Sequence, residues 1–430
     1  MIFNRLQKTL FLVVTIFMTT LGVFAQNEIS SPYSRFGLGS MNTNKSNTAL
    51  QGMGGIANAM DGKHMLNNSN PAAYAEIDSL TFLLDAGFYM RYSTFRTANQ
   101  IEKGSDASFD YFDIGFGITK WWKTGLGLTP FSSRDYISTA SYTWEQPYPY
   151  SIDYEGYGGL NKVYWANGFK VYKGLSLGVR MNYLFGNVTD ETTLYFPHNT
   201  EFLNERHTDR LRISELSFTL GLIYKYDFKH DYQLSVGLTY GIPTKWKGHR
   251  DIFIRTMFKG YGTNNETPVD TIAYSTSQRV NINYPQSFGS GVTLKKGDRW
   301  LVGIDFNWGN WENFTMNGVT DSLQNCWNIA IGGCYTPANT SVSSYMKKIT
   351  YRAGFHYDQT IFNIYGKSVN KYGFTFGFGL PVLRAMTMLN FAFEFGKMGT
   401  TQSDLIEDSY FNISLGVSIH DRWFVKRRYK

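Results

Sequence analysis

Phe411-Asn412-Ile413-Ser414-Leu415-Gly416-Val417-Ser418-Ile419-His420 decides the fold. Apolar residues occupy every odd position, and Asn, Ser, Gly and His every even one. Period two is the repeat of an extended strand, whose successive side chains leave the backbone on opposite faces. This strand is apolar on one face and small and polar on the other. A strand of a soluble sandwich has the same pattern, so its recurrence has to separate the two.

The pattern recurs all the way back along the chain. Leu389, Phe391, Phe393 and Phe395 alternate with Asn390, Ala392, Glu394 and Gly396. Tyr372, Phe374, Phe376, Phe378 and Leu380 alternate with Gly373, Thr375, Gly377 and Gly379. Tyr351, Ala353, Phe355 and Tyr357 oppose Arg352, Gly354, His356 and Asp358, and Val302, Ile304, Phe306 and Trp308 oppose Gly303, Asp305 and Asn307. Leu175 to Tyr183, Leu216 to Leu222 and Leu234 to Tyr240 repeat it. Soluble sandwiches rarely keep so aromatic an apolar face through so many strands with glycine so regular opposite. A lipid-facing wall around a polar lumen does. The expectation is an all-β transmembrane antiparallel barrel of about 14 strands, at 80–95, 107–120, 123–133, 157–171, 174–188, 211–227, 232–247, 280–296, 299–311, 326–335, 347–358, 371–381, 385–398 and 408–421. Short turns (Lys120 to Lys123, Tyr172 to Gly174, Phe228 to Asp231, Lys295 to Asp298, Pro381 to Arg384) alternate with long polar connections at 134–156, 189–210, 248–279 and 312–325. An even strand number places both termini on the short-turn, periplasmic side. One connection, 336–346, is longer than its side predicts.

Composition agrees. The 430 residues are 43% hydrophobic and 17% aromatic, with 42 Gly and 11 Pro. A mean hydropathy of −0.29 excludes a polytopic helical membrane protein. The net charge of +7 is dispersed, part of it in the terminal Lys426-Arg427-Arg428-Tyr429-Lys430, and no basic groove for nucleic acid emerges. Cys326 and Cys334 fall on one strand about 26 Å apart at ~3.3 Å per residue, beyond disulfide reach.

Residues 1–25 read as a signal peptide. Arg5 and Lys8 form the basic start, Leu10 to Phe24 the apolar run, and Val23-Phe24-Ala25 the exit for cleavage after Ala25. A signal anchor is the alternative, and the absence of a following Cys argues against a lipoprotein. Residues 26–79 are rich in Gly, Ala, Ser, Asn and Met and precede the first strand of the 80–430 barrel. Their simplest place is inside the lumen as a plug; a disordered periplasmic leader is the alternative.

Gly52-Met53-Gly54-Gly55-Ile56-Ala57-Asn58-Ala59, followed by Asn70-Pro71-Ala72, resembles the N-terminal hatch of long-chain fatty-acid transporter (FadL-type) outer-membrane channels. Ser31-Pro32-Tyr33-Ser34-Arg35-Phe36-Gly37-Leu38-Gly39 and the ending from Leu415 through Arg422-Trp423-Phe424-Val425-Lys426-Arg427 are similar to the Bacteroidetes-type members. The resemblance implies a 14-stranded barrel closed by the hatch, with Asn70, Pro71 and Ala72 as hatch motif. It implies that hydrophobic substrates bind inside and leave sideways beside a kinked strand. Pro130 is the candidate kink, since proline removes a ladder N–H, unless it only ends the third strand; Pro285 is the rival.

No chemistry-bearing constellation stands out. Arg352, His356 and Asp358 share the inward face of one strand, as a catalytic dyad with its neighbour or, by the stronger reading, as a solvated lumen cluster. Trp121, Trp122 and Trp423 fit the periplasmic rim, as headgroup anchors or as stacking platforms. No enzyme motif, metal pair or cofactor loop is present. The expected function is passive uptake of small hydrophobic compounds such as long-chain fatty acids, by lateral exit through the wall of a Gram-negative outer membrane. The partners would be membrane lipid, lipopolysaccharide and the hydrophobic ligand. The alternative is a non-transporting barrel subunit of an outer-membrane secretion or assembly complex, with other outer-membrane proteins as partners.

Overall fold

The computed structural model describes residues 31–41, 46–62, 65–142, 149–196, 202–259, 266–321, 323–338, 344–364, 366–382, 387–402 and 405–422. The expected signal peptide, residues 1–25, and the ending from Trp423 lie outside them, as do His64, His198 and part of the 381–384 turn.

Seventeen strand segments form the wall. They are β1 (Thr81–Arg96), β2 (Ile101–Gly117), β3 (Trp122–Ser133), β4 (Tyr136–Tyr142), β5 (Tyr150–Tyr172), β6 (Leu175–Tyr195), β7 (Asn204–Asp227), β8 (Tyr232–Gly241) and β9 (Thr244–Lys259). The rest are β10 (Glu266–Tyr284), β11 (Ser287–Lys296), β12 (Trp300–Gly309), β13 (Cys326–Tyr335), β14 (Thr350–Ile364), β15 (Lys367–Pro381), β16 (Met388–Met398) and β17 (Glu407–Arg422). β3 and β4, β8 and β9, and β10 and β11 are each one wall strand broken in two, which leaves fourteen. All neighbours are antiparallel, and β17 pairs with β1 from Arg422↔Thr81 to Glu407↔Arg96, closing the barrel. Closure removes the free edges that an open sheet would expose to lipid. No helix of the described residues is long and apolar enough to cross a membrane.

The two faces sort as the sequence pattern requires. Phe374, Phe376 and Phe378 are exposed on the outer face, while Thr375 between them is buried. Cys326 and Cys334 sit on β13, both free.

The long connections are the main correction. Most of 134–156, 189–210 and 248–279 is strand, not loop, and β2 begins at Ile101 rather than at 107. These extensions carry no apolar alternation because both of their faces are wet; on β10 nearly every residue from Glu266 to Arg279 is exposed. Charged cross-strand contacts hold them instead. Arg206 reaches Glu266 at 2.7 Å, Arg212 reaches Asp251 at 3.0 Å, and Arg250 Nε donates to Asp209 at 2.8 Å. The connection 336–346 leads into a helical turn at Tyr345–Lys348. The wall is consequently uneven: β5, β6 and β7 run for 23, 21 and 24 residues, whereas β12 and β13 have 10 each.

Candidate functional site

The site is the inside of the barrel, and the chain's own N-terminal residues build most of it. Asn47 caps a single helical turn, Thr48–Gln51, by accepting from the Leu50 N–H at 3.0 Å. Gly54 and Gly55 follow with φ of +72° and +83°, a backbone that favours glycine. The segment then circles the inner wall. Asp305 on β12 accepts from the Ala57 and Asn58 N–H groups at 2.6 and 2.7 Å, and Asp85 on β1 accepts from the Leu66 N–H at 2.6 Å.

Inward glycines let the two backbones meet. A methyl added at Gly178, Gly237, Gly332 or Gly354 would collide with the backbone of Ala72, Asn58, Met53 or Gly54. At these four positions glycine is required because the wall touches the segment there; at Gly373, Gly379 and Gly396 the space is taken by wall side chains instead.

Asn70 caps the 3₁₀ turn Pro71–Glu76. Its side-chain oxygen accepts from the Ala72 N–H at 3.0 Å, and Pro71 stands first in the turn, where no N–H is needed. The other end of the same amide donates to Asn58 O at 2.6 Å, Leu222 O at 3.2 Å and Leu238 O at 3.4 Å. Asn70 and Ala72 are fully buried. At the short-turn rim, Asp61 meets Lys225 at 3.1 Å and Lys295 at 2.8 Å, and Glu76 meets Lys225 at 3.0 Å. Burial pushes both carboxyls up, but the lysines outweigh it and hold them below the usual carboxylate range.

Residues 31–41 form a separate strap on the other side. Ser31 caps the 3₁₀ turn Pro32–Arg35. Tyr33, Leu38, Trp246, Trp311, Phe314 and Phe362 belong to one buried apolar cluster. The Tyr33 hydroxyl donates to Ile406 O and accepts from Ile406 N. Burial pushes this phenol up to about 12.

The strap ends on a seam in the wall. β2 and β3 pair only from Gly117↔Lys123 to Phe112↔Leu128. Beyond Leu128 the edge of the third strand pairs instead with the strap, Met41 with Ser132 and Ser40 with Ser133. Pro130 stands where the two wall strands part, with a bulge between it and Ser132. The full break follows at Arg134, whose guanidinium bonds Gly37 O and Asp190. Pro285 lies in the second interruption, between β10 and β11, facing Pro243 between β8 and β9.

Between hatch-like segment and strap lies a cavity of about 520 Å³. Phe131, Tyr284, Trp311 and Phe362 are among its lining residues, together with His356, Asp358, Glu394 and Lys371. His356 bonds Asp358 at 2.8 Å and Glu394 at 2.9 Å; Glu394 also accepts from Tyr410 at 2.7 Å. Arg352 is not part of this group and donates to Asn390 at 3.0 Å. The sequence pointed to His356 and Asp358 but not to Glu394, Lys371 or Tyr410 as their partners, because those lie on other strands whose register no motif encodes. Every member of the group is held by another, as in a structural polar network. Among the described residues, no three His, Cys, Asp or Glu side chains gather to hold a metal. Trp122 and Trp121 pack on Phe169 at 6.3 and 6.1 Å at the short-turn rim.

A protein-family model described as BamG matches residues 6–430. No curated protein matches by sequence. Among solved structures, the Ralstonia pickettii toluene transporter TbuX aligns with a TM-score of 0.57 at 13% identity, covering 89% of this chain and 100% of that one. A Pseudomonas aeruginosa FadL homologue gives 0.57 at 14%, covering 90% and 100%. The Pseudomonas putida toluene transporter TodX gives 0.56 at 15%, covering 89% and 99%. At these identities the likeness is one of fold: the chain has the 14-stranded FadL-like barrel fold of these structures.

Proposed function

The chain belongs to the BamG family, and from the shape of its cavity we propose that it is a passive outer-membrane channel for small hydrophobic compounds such as long-chain fatty acids. Residues 1–25 export it, 26–79 form the hatch with Asn70, Pro71 and Ala72 as its motif, and 80–430 form the wall. The observation that carries this reading is the cavity beside the parted seam, lined by aromatic and charged residues together. Its volume suits a small molecule. Its aromatic residues suit an apolar body, and its charged residues suit a polar head. The seam at Pro130 gives a lateral exit into the hydrocarbon layer once residues 40–41 release the third strand. Such a route avoids the lipopolysaccharide leaflet and needs no energy source. Cells lacking the protein should take up labelled oleate or toluene several-fold more slowly, and replacing Pro130 should alter the rate. Unchanged uptake in cells without the protein would refute the proposal.

A second reading rests on the uneven wall. Strands of 21–24 residues exceed the roughly 10 residues needed to span the membrane. The excess stands outside the bilayer, and Val269, Ile272 and Tyr274 on it are exposed. A non-transporting subunit of an outer-membrane complex would use that surface. Purification in mild detergent would then bring down stoichiometric partners, with uptake unaffected.

A further inference from the structure

The wall has a second parting, closed at both ends by resumed pairing. β7 and β8 pair as far as Thr219↔Gly241, and β7 and β9 resume only at Arg212↔His249. Between them, residues 213–218 and 243–248 form no ladder pairs with each other; beyond Ile242 N donating to Phe218 O at 3.0 Å the ladder is interrupted. At ~3.3 Å per residue the opening is about 20 Å long. Pro243 starts it, with no N–H to offer. Leu216 and Phe218, at its edge, are 40% and 39% exposed on the outer face.

Backbone groups in a wall facing hydrocarbon must find partners. Here side chains supply them. The Trp246 indole N–H donates to Leu216 O at 3.2 Å, and Glu215 accepts from the Lys247 N–H at 2.9 Å. Trp246 is only 1% exposed and lies across the inner mouth of the opening. Behind it, Tyr284 stacks at 4.2 Å and 15°, and Phe131 and Trp311 flank Tyr284 at 6.2 and 5.7 Å. Phe131, Tyr284 and Trp311 also line the cavity. A continuous aromatic path therefore runs from the cavity to the opening.

Resting on the channel reading above, we propose that this opening is a second lateral window, for flat apolar molecules about the size of a fused two-ring aromatic, and that Trp246 is its gate. A ladder bond cannot be swung aside without unzipping a strand. An indole can turn about two side-chain bonds, and a ligand of its own size would take over its packing on Tyr284.

The test uses the full-length protein in cells, in a background with Cys326 and Cys334 replaced by serine, and follows uptake of radiolabelled naphthalene. Trp246→Ala should raise the rate at least three-fold. Trp246→Phe, which keeps the bulk and loses the N–H, should give a smaller rise. A Glu215→Cys, Lys247→Cys pair bridged by a short thiol-specific reagent should cancel the rise in Trp246→Ala, and reductant should restore it. Folding is checked by the shift in electrophoretic mobility on heating. Folded Trp246→Ala with unchanged uptake, or a bridge without effect, overturns the window; if Trp246→Ala does not fold, Trp246→Phe and the bridge decide by the same criteria. Loss of the whole protein with no change in naphthalene or oleate uptake overturns the channel reading itself, a different result.

Discussion

Asn70 shows how one side chain can join two structures. Its oxygen caps the turn that begins at Pro71, and its nitrogen reaches three carbonyls, two of them on wall strands. Removing a buried amide so fully engaged leaves several groups unpaired. Asn70→Ala is expected to lower stability by about 2 kcal/mol or more, read by unfolding in detergent. Asn70→Asp keeps the capping oxygen and should recover only part of the loss. This residue was legible in the sequence, since Asn followed by Pro is a turn signal and its place before the first strand fits a hatch. Glu394 was not. It appears in the sequence only as an inward charge, and its bonds to His356, Tyr410 and Asn412 come from three strands meeting in register.

At the scale of elements, alternation identified the strands wherever one side faces lipid and the other the lumen. It failed where both sides face water. The sequence Asn204-Glu205-Arg206-His207-Thr208-Asp209-Arg210 has no apolar residue at all, yet it pairs with β6 and β9 along its length. Its rungs are ion pairs, whose spacing leaves no period to detect. Such exposed pairs contribute little each, so the outer hairpin should be separable from the barrel. Deleting Asp251 to Gln278 is expected to leave a heat-shiftable barrel that melts within a few degrees of the parent. On the scaffold reading, the same deletion should abolish co-purification of partners.

Across the whole molecule, two of the kinds of contact that tie the N-terminal segment to the wall differ in their sensitivity to acid. The backbone contacts at the inward glycines do not titrate, whereas the Asp61 and Glu76 rim pairs do. Both carboxyls bind protons less readily in place than when released, so the stabilisation is full above the ordinary carboxylate value of about 4 and is lost as pH falls through the lower value in the folded protein. Protease protection of residues 46–79 should therefore weaken in acid below about pH 4. Lys225→Met, which takes a shared partner from both carboxyls, should weaken it already at neutral pH. The uneven wall has a different consequence. A barrel of constant height looks the same from every direction in the plane of the membrane, but this one has a front and a back. A bulky neighbour meets a low flank at β12 and β13 and a parapet from β5 to β10. The protein thus carries a compass bearing, and whatever assembles beside it can be seated on one flank while the other still faces open lipid.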